Sequence, residues 1–242
     1  MLQRCPGRLS RVEFLRNIDI GTIAIQFSVL LFSLSIHEAS HAWTASRFGD
    51  HTARHLGRVS LNPLPHIDPI GTVLFPLLQF FANFPLIGWA KPVPVNPGRL
   101  RNPQKDQIFI SLAGPASNLL AGCIAFVLLI LLKLTWPEAR GLIEVFTFVG
   151  RMPGTGSALA PIIGILYYAM IINLLLAIFN LLPIPPLDGH WILYGLLPGG
   201  AAAVLERIGS FGILLLYALM LMGMFRFLLI PVSFIIGLLR SF

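Results

Sequence analysis

The chain has 242 residues, of which 56% are hydrophobic and only 11% charged, and its mean hydropathy is +0.81. A soluble domain carries about a quarter of its residues as Asp, Glu, Lys or Arg, so this composition excludes a water-covered globule and predicts a multi-pass membrane protein. The net charge of +7 lies in short pieces between apolar runs. That is the pattern of charge flanking membrane helices, not of a folded basic face for nucleic acid.

Residues 1–19 form a basic segment with Arg4, Arg8, Arg11 and Arg16. The apolar run behind it exceeds the about 7–15 residues of a signal sequence. Cleavage after the run would remove or cut the motif that follows, so the run is expected to be retained. Residues 20–36 hold no Asp, Glu, Lys or Arg, and the apolar character continues toward Trp43, which predicts the first spanning helix. Residues 69–90 are also uncharged but carry Pro76 and Pro85, with Gln79 and Asn83 between them. Proline breaks helix interiors, and a broken segment survives at membrane depth only when protein or a wet cavity covers it. Either a true crossing or a re-entrant hairpin fits this stretch. The following "KPVPVNPGRLRNP" reads as extended chain.

Residues 108–132 predict a second span, closed by Lys133, and residues 162–182 a third, ending in Pro183, Pro185 and Pro186. Residues 208–239 are apolar apart from Arg226 and are interrupted by Pro231. They exceed the roughly 20 residues of one untilted span. The expected fold is all-α and polytopic, with about four to six transmembrane helices and a re-entrant or broken segment near 69–90. Cys5 and Cys123 make neither a disulfide framework nor a C-x-x-C site.

The stretch "HEASH" at 37–41 has the form H-E-x-x-H. On a helix, His37 and His41 lie on one face a turn apart and can bind one zinc ion, with Glu38 able to act as general base on water. Ionisable side chains near the bilayer centre each cost about 2.5–3.5 kcal/mol even on the milder insertion scale, so three within five positions need a common purpose. A catalytic zinc site takes three protein ligands and keeps one open position. Asp188, in "NLLPIPPLDGH", is the best candidate for the third, because the prolines end regular helix just before it.

Topology constrains this pairing. His37 and His41 end the first span, and Asp188 follows the third. They meet only if the chain crosses an odd number of times between the two, before the third span begins. Residues 108–132 supply one crossing, so 69–90 must return to the face it left, unless residues 142–150 cross as well. Arg47, Arg54, Arg58, Lys91, Arg99, Arg101 and Lys105 then share the motif's side, which becomes cytoplasmic by the positive-inside rule. The four N-terminal arginines run against that count.

In order along the chain, "HEASH" at 37–41, "NPLPHIDPIGT" at 62–72, "GWAKPVPVNP" at 88–97, "GPASN" at 114–118 and "NLLPIPPLDG" at 180–189 resemble the site-2 protease family of intramembrane zinc metalloproteases. The arrangement is similar to the short bacterial branch without PDZ or CBS domains. The resemblance implies one membrane-embedded metalloprotease domain over 20–242 and one zinc ion per chain. It implies His37, His41 and Asp188 as ligands, Glu38 as catalytic acid/base, and Asn180 as a substrate-binding residue holding an unwound segment. It further implies membrane-protein substrates, contact with the lipid bilayer, and a multi-pass location in the inner cell membrane. Oligomeric state is left open. The alternative from a different class is a non-proteolytic membrane protein for metal binding or transport.

Of the other polar residues, His66 and Asp68 read as turn and helix-start chemistry. His51 and His55 read as solvated. His190 is either interfacial or supports a ligand, and Asn118 and Asn173 are expected to hydrogen-bond between helices.

Overall fold

The computed structural model describes residues 19–76, 78, 88–149, 156–198, 209 and 211–242. The N-terminal arginines, Cys5, Gln79, Asn83 and Pro85 lie outside these. Among the described residues there is no strand, and four helical stretches are long and apolar enough to cross a membrane.

Helix α1 (Ile20–Arg47) starts on Asp19, whose carboxylate accepts from the Thr22 amide at 3.1 Å. It carries HEASH in its last third. After a one-turn helix (Thr52–His55) and a short 3₁₀ turn (Leu64–His66), a π-helical turn (Pro69–Leu74) opens the proline-broken stretch. Asp68 caps that turn by accepting from the amides of Ile70 (3.0 Å) and Gly71 (2.8 Å), which is helix-start chemistry as read from sequence.

The two ends of the broken stretch lie side by side. Trp89 N–H donates to Gly71 C=O (3.2 Å), Thr72 Oγ1 to Trp89 C=O (2.8 Å), and Lys91 N–H to His66 C=O (2.9 Å). A Cβ on Gly71 would sit 2.5 Å from the Trp89 ring, so only glycine lets that indole close over the turn. The stretch therefore ends where it began, the return that the zinc pairing requires.

Helix α2 (Pro103–Thr135) is the centre of the bundle, packed against α1, α3 (Pro137–Val149), α4 (Leu159–Asn180) and α5 (Asp188–Leu196). Its buried face runs Ile110, Gly114, Asn118, Gly122, Ala125, Leu129 and Lys133, a stripe at three- and four-residue spacing. Gly122 lets α4 approach closely, the small-residue packing common between membrane helices. The apolar core fills the end of the bundle away from HEASH, where Leu129, Phe146, Ile163, Tyr167 and Met170 cluster.

Helix α3 has 13 residues, about 20 Å at 1.5 Å per residue, and cannot span roughly 30 Å of hydrocarbon. Arg140 and Thr147, near its two ends, both meet the C-terminal end of the last helix, so it lies at that end and does not cross. The final apolar run breaks into α6 (Gly212–Leu221), a 3₁₀ turn (Met224–Leu228) and α7 (Leu229–Ser241). The break falls at Gly223, at φ 72°, rather than at Pro231. Pro231 sits in the first turn of α7, where its missing N–H costs nothing. Lys133 is buried and donates to the C=O groups of Leu239 (3.0 Å) and Arg240 (3.2 Å), capping α7 at the helix end that favours a cation.

Candidate metal centre

The chain brings His37, His41 and Asp188 together across 150 residues of sequence. One donor atom from each lies within 4.8 Å of the others. His37 Nε2 is 3.0 Å from Asp188 Oδ2, His41 Nε2 is 3.4 Å from Asp188 Oδ1, and the two Nε2 atoms are 3.0 Å apart. Ligand atoms around a tetrahedral ion with bonds of about 2.0–2.1 Å lie roughly 3.3 Å from one another, so the spacing fits.

The hydrogen bonds behind the imidazoles decide which nitrogen faces the ion. His41 Nδ1 lies 2.6 Å from Ile110 C=O, which can only accept, so Nδ1 carries the proton and Nε2 the lone pair. For His37 the same logic runs through a longer chain. Asn173 Nδ2 donates to Ala169 C=O (2.8 Å) and Ser33 Oγ (2.9 Å), which turns its Oδ1 toward Asn118. Asn118 Nδ2 donates to that oxygen (2.7 Å) and to Ser33 C=O (3.1 Å). Asn118 Oδ1 is then left to accept from His37 Nδ1 at 2.6 Å. Two lone pairs and a carboxylate converge with no proton assigned between them, and Asp188 Oδ2 is buried without a hydrogen bond. A divalent cation satisfies all three.

Two glycines make this convergence possible. A Cβ on Gly114 would stand 2.6 Å from Cε1 of both His37 and His41. A Cβ on Gly189 would stand 2.5 Å from the Leu181 carbonyl carbon, which keeps the start of α5 tight against the end of α4. Asp188 opens α5, where the helix dipole favours a carboxylate.

Glu38 is buried beside the ligand pair and lines the same cavity, about 490 Å³, as His37, His41 and Asp188. Asn180 also reaches this cavity from the last turn of α4, and its Nδ2 donates back to Leu176 C=O at 3.0 Å. The opposite wall is the extended stretch 88–95, including Ala90, Pro92 and Val93. Buried Arg58 holds that wall by donating through Nη2 to the C=O groups of Lys91 and Pro92 (2.8 Å to the latter). Burial lowers the Arg58 pKa, and the Glu38 charge opposes that shift, a mark of their proximity. Among the described residues, none is hydrogen-bonded to the N–H or C=O of Val93, so this wall presents a free backbone edge.

Sequence reasoning had Asn118 and Asn173 as bridges between helices but missed that they orient His37. Their position inside an apolar run was the available signal. Ile110 was missed because a backbone carbonyl leaves no trace in residue type. His190 is buried at the start of α5 against Trp191 and Tyr194. His66 is buried in the loop, with Nε2 2.8 Å from Ser60 C=O. His51 and His55 are exposed, as expected.

Helices that hold an HExxH pair and a distant aspartate at one end of an apolar bundle make a group that could hold a metal ion in a membrane-spanning fold. Residues 25–223 match Peptidase family M50, and the chain belongs to this family, the site-2 proteases that its motifs resemble. It is 36% identical over 202 residues to "Putative zinc metalloprotease YwhC" of Bacillus subtilis, covering 84% of this chain and 82% of that one. It is 31% identical over 172 residues to "Putative zinc metalloprotease Rip2" of Mycolicibacterium smegmatis, covering 71% of this chain and 56% of Rip2. No solved structure gives a significant match.

Proposed function

We propose that the protein is a zinc-dependent intramembrane endopeptidase that cuts membrane-spanning segments of other proteins near the cytoplasmic face. The observation that carries this is the convergence of two oriented imidazole lone pairs and the Asp188 carboxylate on a cavity that also contains Glu38. His37, His41 and Asp188 would hold the zinc, which when bound supplies Lewis acidity and a nucleophile from water near neutral pH.

Glu38 takes a proton from water as the water oxygen bonds to the scissile carbonyl carbon. It returns that proton to the amide nitrogen as the C–N bond breaks. A helical substrate keeps its amides in internal hydrogen bonds and must unwind first. The free edge at Val93 can pair with an unwound backbone, as strand-addition sites do, and the Asn180 carboxamide can hold it from the other wall.

The basic residues Arg47, Arg54, Arg58, Lys91, Arg99, Arg101 and Lys105 precede or open α2 on the metal side. That excess supports a cytoplasmic metal and, in a bacterial cell, an inner-membrane location.

The test uses a single-span reporter substrate in liposomes. Glu38→Gln should lower cleavage by about 10²–10⁴-fold while elemental analysis still finds one zinc per chain. Cleavage that persists in zinc-loaded Glu38→Gln protein rejects the mechanism.

A further inference from the structure

A second concavity, about 700 Å³, lies beside the end of α1 and is lined by Trp43, Arg47, His51, Arg54, Val59 and Arg101. Three guanidiniums face it and no carboxylate does. Among the described residues, Arg47, Arg54 and Arg101 form no ion pair. Asp50, the acid in this loop, is buried and already accepts from Asn96 N–H (2.6 Å) and Thr52 Oγ1 (2.5 Å).

The fold builds this concavity. Gly49, at φ 108°, turns the chain sharply out of α1, and His51 Nδ1 comes back to 2.8 Å from Ser46 Oγ. Arg101 N–H donates to Phe48 C=O at 3.3 Å, which brings the approach to α2 onto the same spot.

Its depth follows from helix length. Helix α1 has 28 residues, about 42 Å, against roughly 30 Å of hydrocarbon, so its last turns reach the headgroup layer. Trp43 is 53% exposed, as interfacial tryptophans are, and the Arg47 guanidinium stacks 4.9 Å over its ring. Val59, which lines the concavity, is 38% exposed, and Leu56 and Leu61, close to it in sequence, are 63% and 64% exposed. A site for a free soluble anion has no use for an apolar lip, whereas a lipid presents a charged head and an apolar body together.

We propose that this concavity binds the phosphodiester headgroup of an anionic glycerophospholipid. Arg54 and Arg101 take the phosphate oxygens, Arg47 adds charge, and Trp43, Leu56 and Leu61 lie against the glycerol and acyl region. The site sits on the other side of α1 from the metal cavity, and the inference does not depend on proteolysis.

The experiment is native mass spectrometry of the full chain in zwitterionic detergent with dioctanoyl-phosphatidylglycerol, dioctanoyl-phosphatidylcholine or inorganic phosphate. Phosphatidylglycerol should be held at least tenfold more tightly than phosphatidylcholine. The Arg54→Gln/Arg101→Gln double variant should lose that preference, while Arg140→Gln, at the far end of the bundle, keeps it. Equal retention of the two lipids, or undiminished phosphatidylglycerol binding in the double variant, overturns the proposal. Displacement of the lipid by equimolar inorganic phosphate also overturns it, by reassigning the site to a free anion. If the double variant does not fold, Arg54→Gln alone decides the matter with an expected several-fold loss, because that side chain is exposed and, among the described residues, makes no hydrogen bond or ion pair. The wild-type preference for phosphatidylglycerol must hold in every case.

Discussion

The two halves of α2 bury one continuous face with opposite chemistry. From Ile110 to Asn118 the face offers small or polar groups: Ser111, Gly114, Asn118 and the Ile110 carbonyl. From Ala125 to Leu129 it is apolar and joins the cluster around Phe146, Ile163 and Met170. The first half fixes directions, because each hydrogen bond admits one donor and one acceptor. The second half fills space. Lipid tails are as apolar as a leucine side chain, so the bundle gains little from hydrophobicity alone and depends on such close packing. Chemistry and stability should therefore be separable along a single helix.

The sharpest way to break that separation is Gly114→Ala. The new methyl would fall 2.6 Å from Cε1 of both imidazoles, well inside contact, so the rings must swing away from Asp188. Zinc per chain should drop below about one-tenth, and cleavage by more than about 100-fold. The melting temperature of the metal-free protein should hold, since alanine is the better helix former and the displaced atoms are the ends of side chains. A fully zinc-loaded, active Gly114→Ala protein would contradict the geometry drawn for the site.

Phe146→Ala probes the other half. Phe146 is fully buried between α3 and α4, against Tyr167 and Tyr168. Its removal should cost about 3 kcal/mol of stability, read by thermal or denaturant unfolding in detergent. Zinc content and cleavage per folded molecule should not change. Loss of zinc in this variant would mean that the two halves are coupled.

Asn118→Ala is expected to be milder. It leaves all three proposed ligands in place but removes the acceptor that fixes the His37 tautomer. The expected effect is about 10–100-fold in zinc affinity, the usual range for a residue that orients a metal ligand. Competition with a chelator measures it, and the fold should remain.

Much of this arrangement was legible in the sequence, for physical reasons. Some twenty uncharged residues in a row have few options besides a spanning helix, and an i, i+4 histidine pair has only one face to share. Counting crossings makes the zinc pairing require that the stretch 69–90 return to the face it left, unless residues 142–150 cross as well. The helix ends were less legible. Helix α1 runs on to Arg47 and α2 begins at Pro103, because polar turns continue a helix into the headgroup layer where hydropathy no longer marks it. The break at Gly223 was hidden by Pro231, since a proline in a first turn is compatible with helix. The guanidinium pocket was invisible for a different reason. Arg47, Arg54 and Arg101 counted only toward sidedness, and their convergence depends on a glycine turn and a contact between segments about fifty residues apart.

The smallest expected effect lies in the loops between these regions and tests whether their geometry is held by charge. Burial pushes the Asp50 carboxyl upward, but hydrogen bonds from the Asn96 amide and from the amide and hydroxyl of Thr52 outweigh it and hold its pKa below the ordinary carboxylate value. A depressed native pKa means that the unfolded chain takes up the proton first. The carboxylate's contribution is thus complete above the unfolded value, about 4, and disappears as pH falls through the lower native one. Asp50→Asn keeps an acceptor but loses the charge, and should cost about 1 kcal/mol at pH 7. Melting curves of the two proteins should converge as the pH drops from about 4 toward 2. A gap that persists there would mean that Asp50 contributes through shape. A gap that closes completely would tie the edge at Val93 to the ionised state of one side chain, since Asn96 anchors the end of the stretch that carries it.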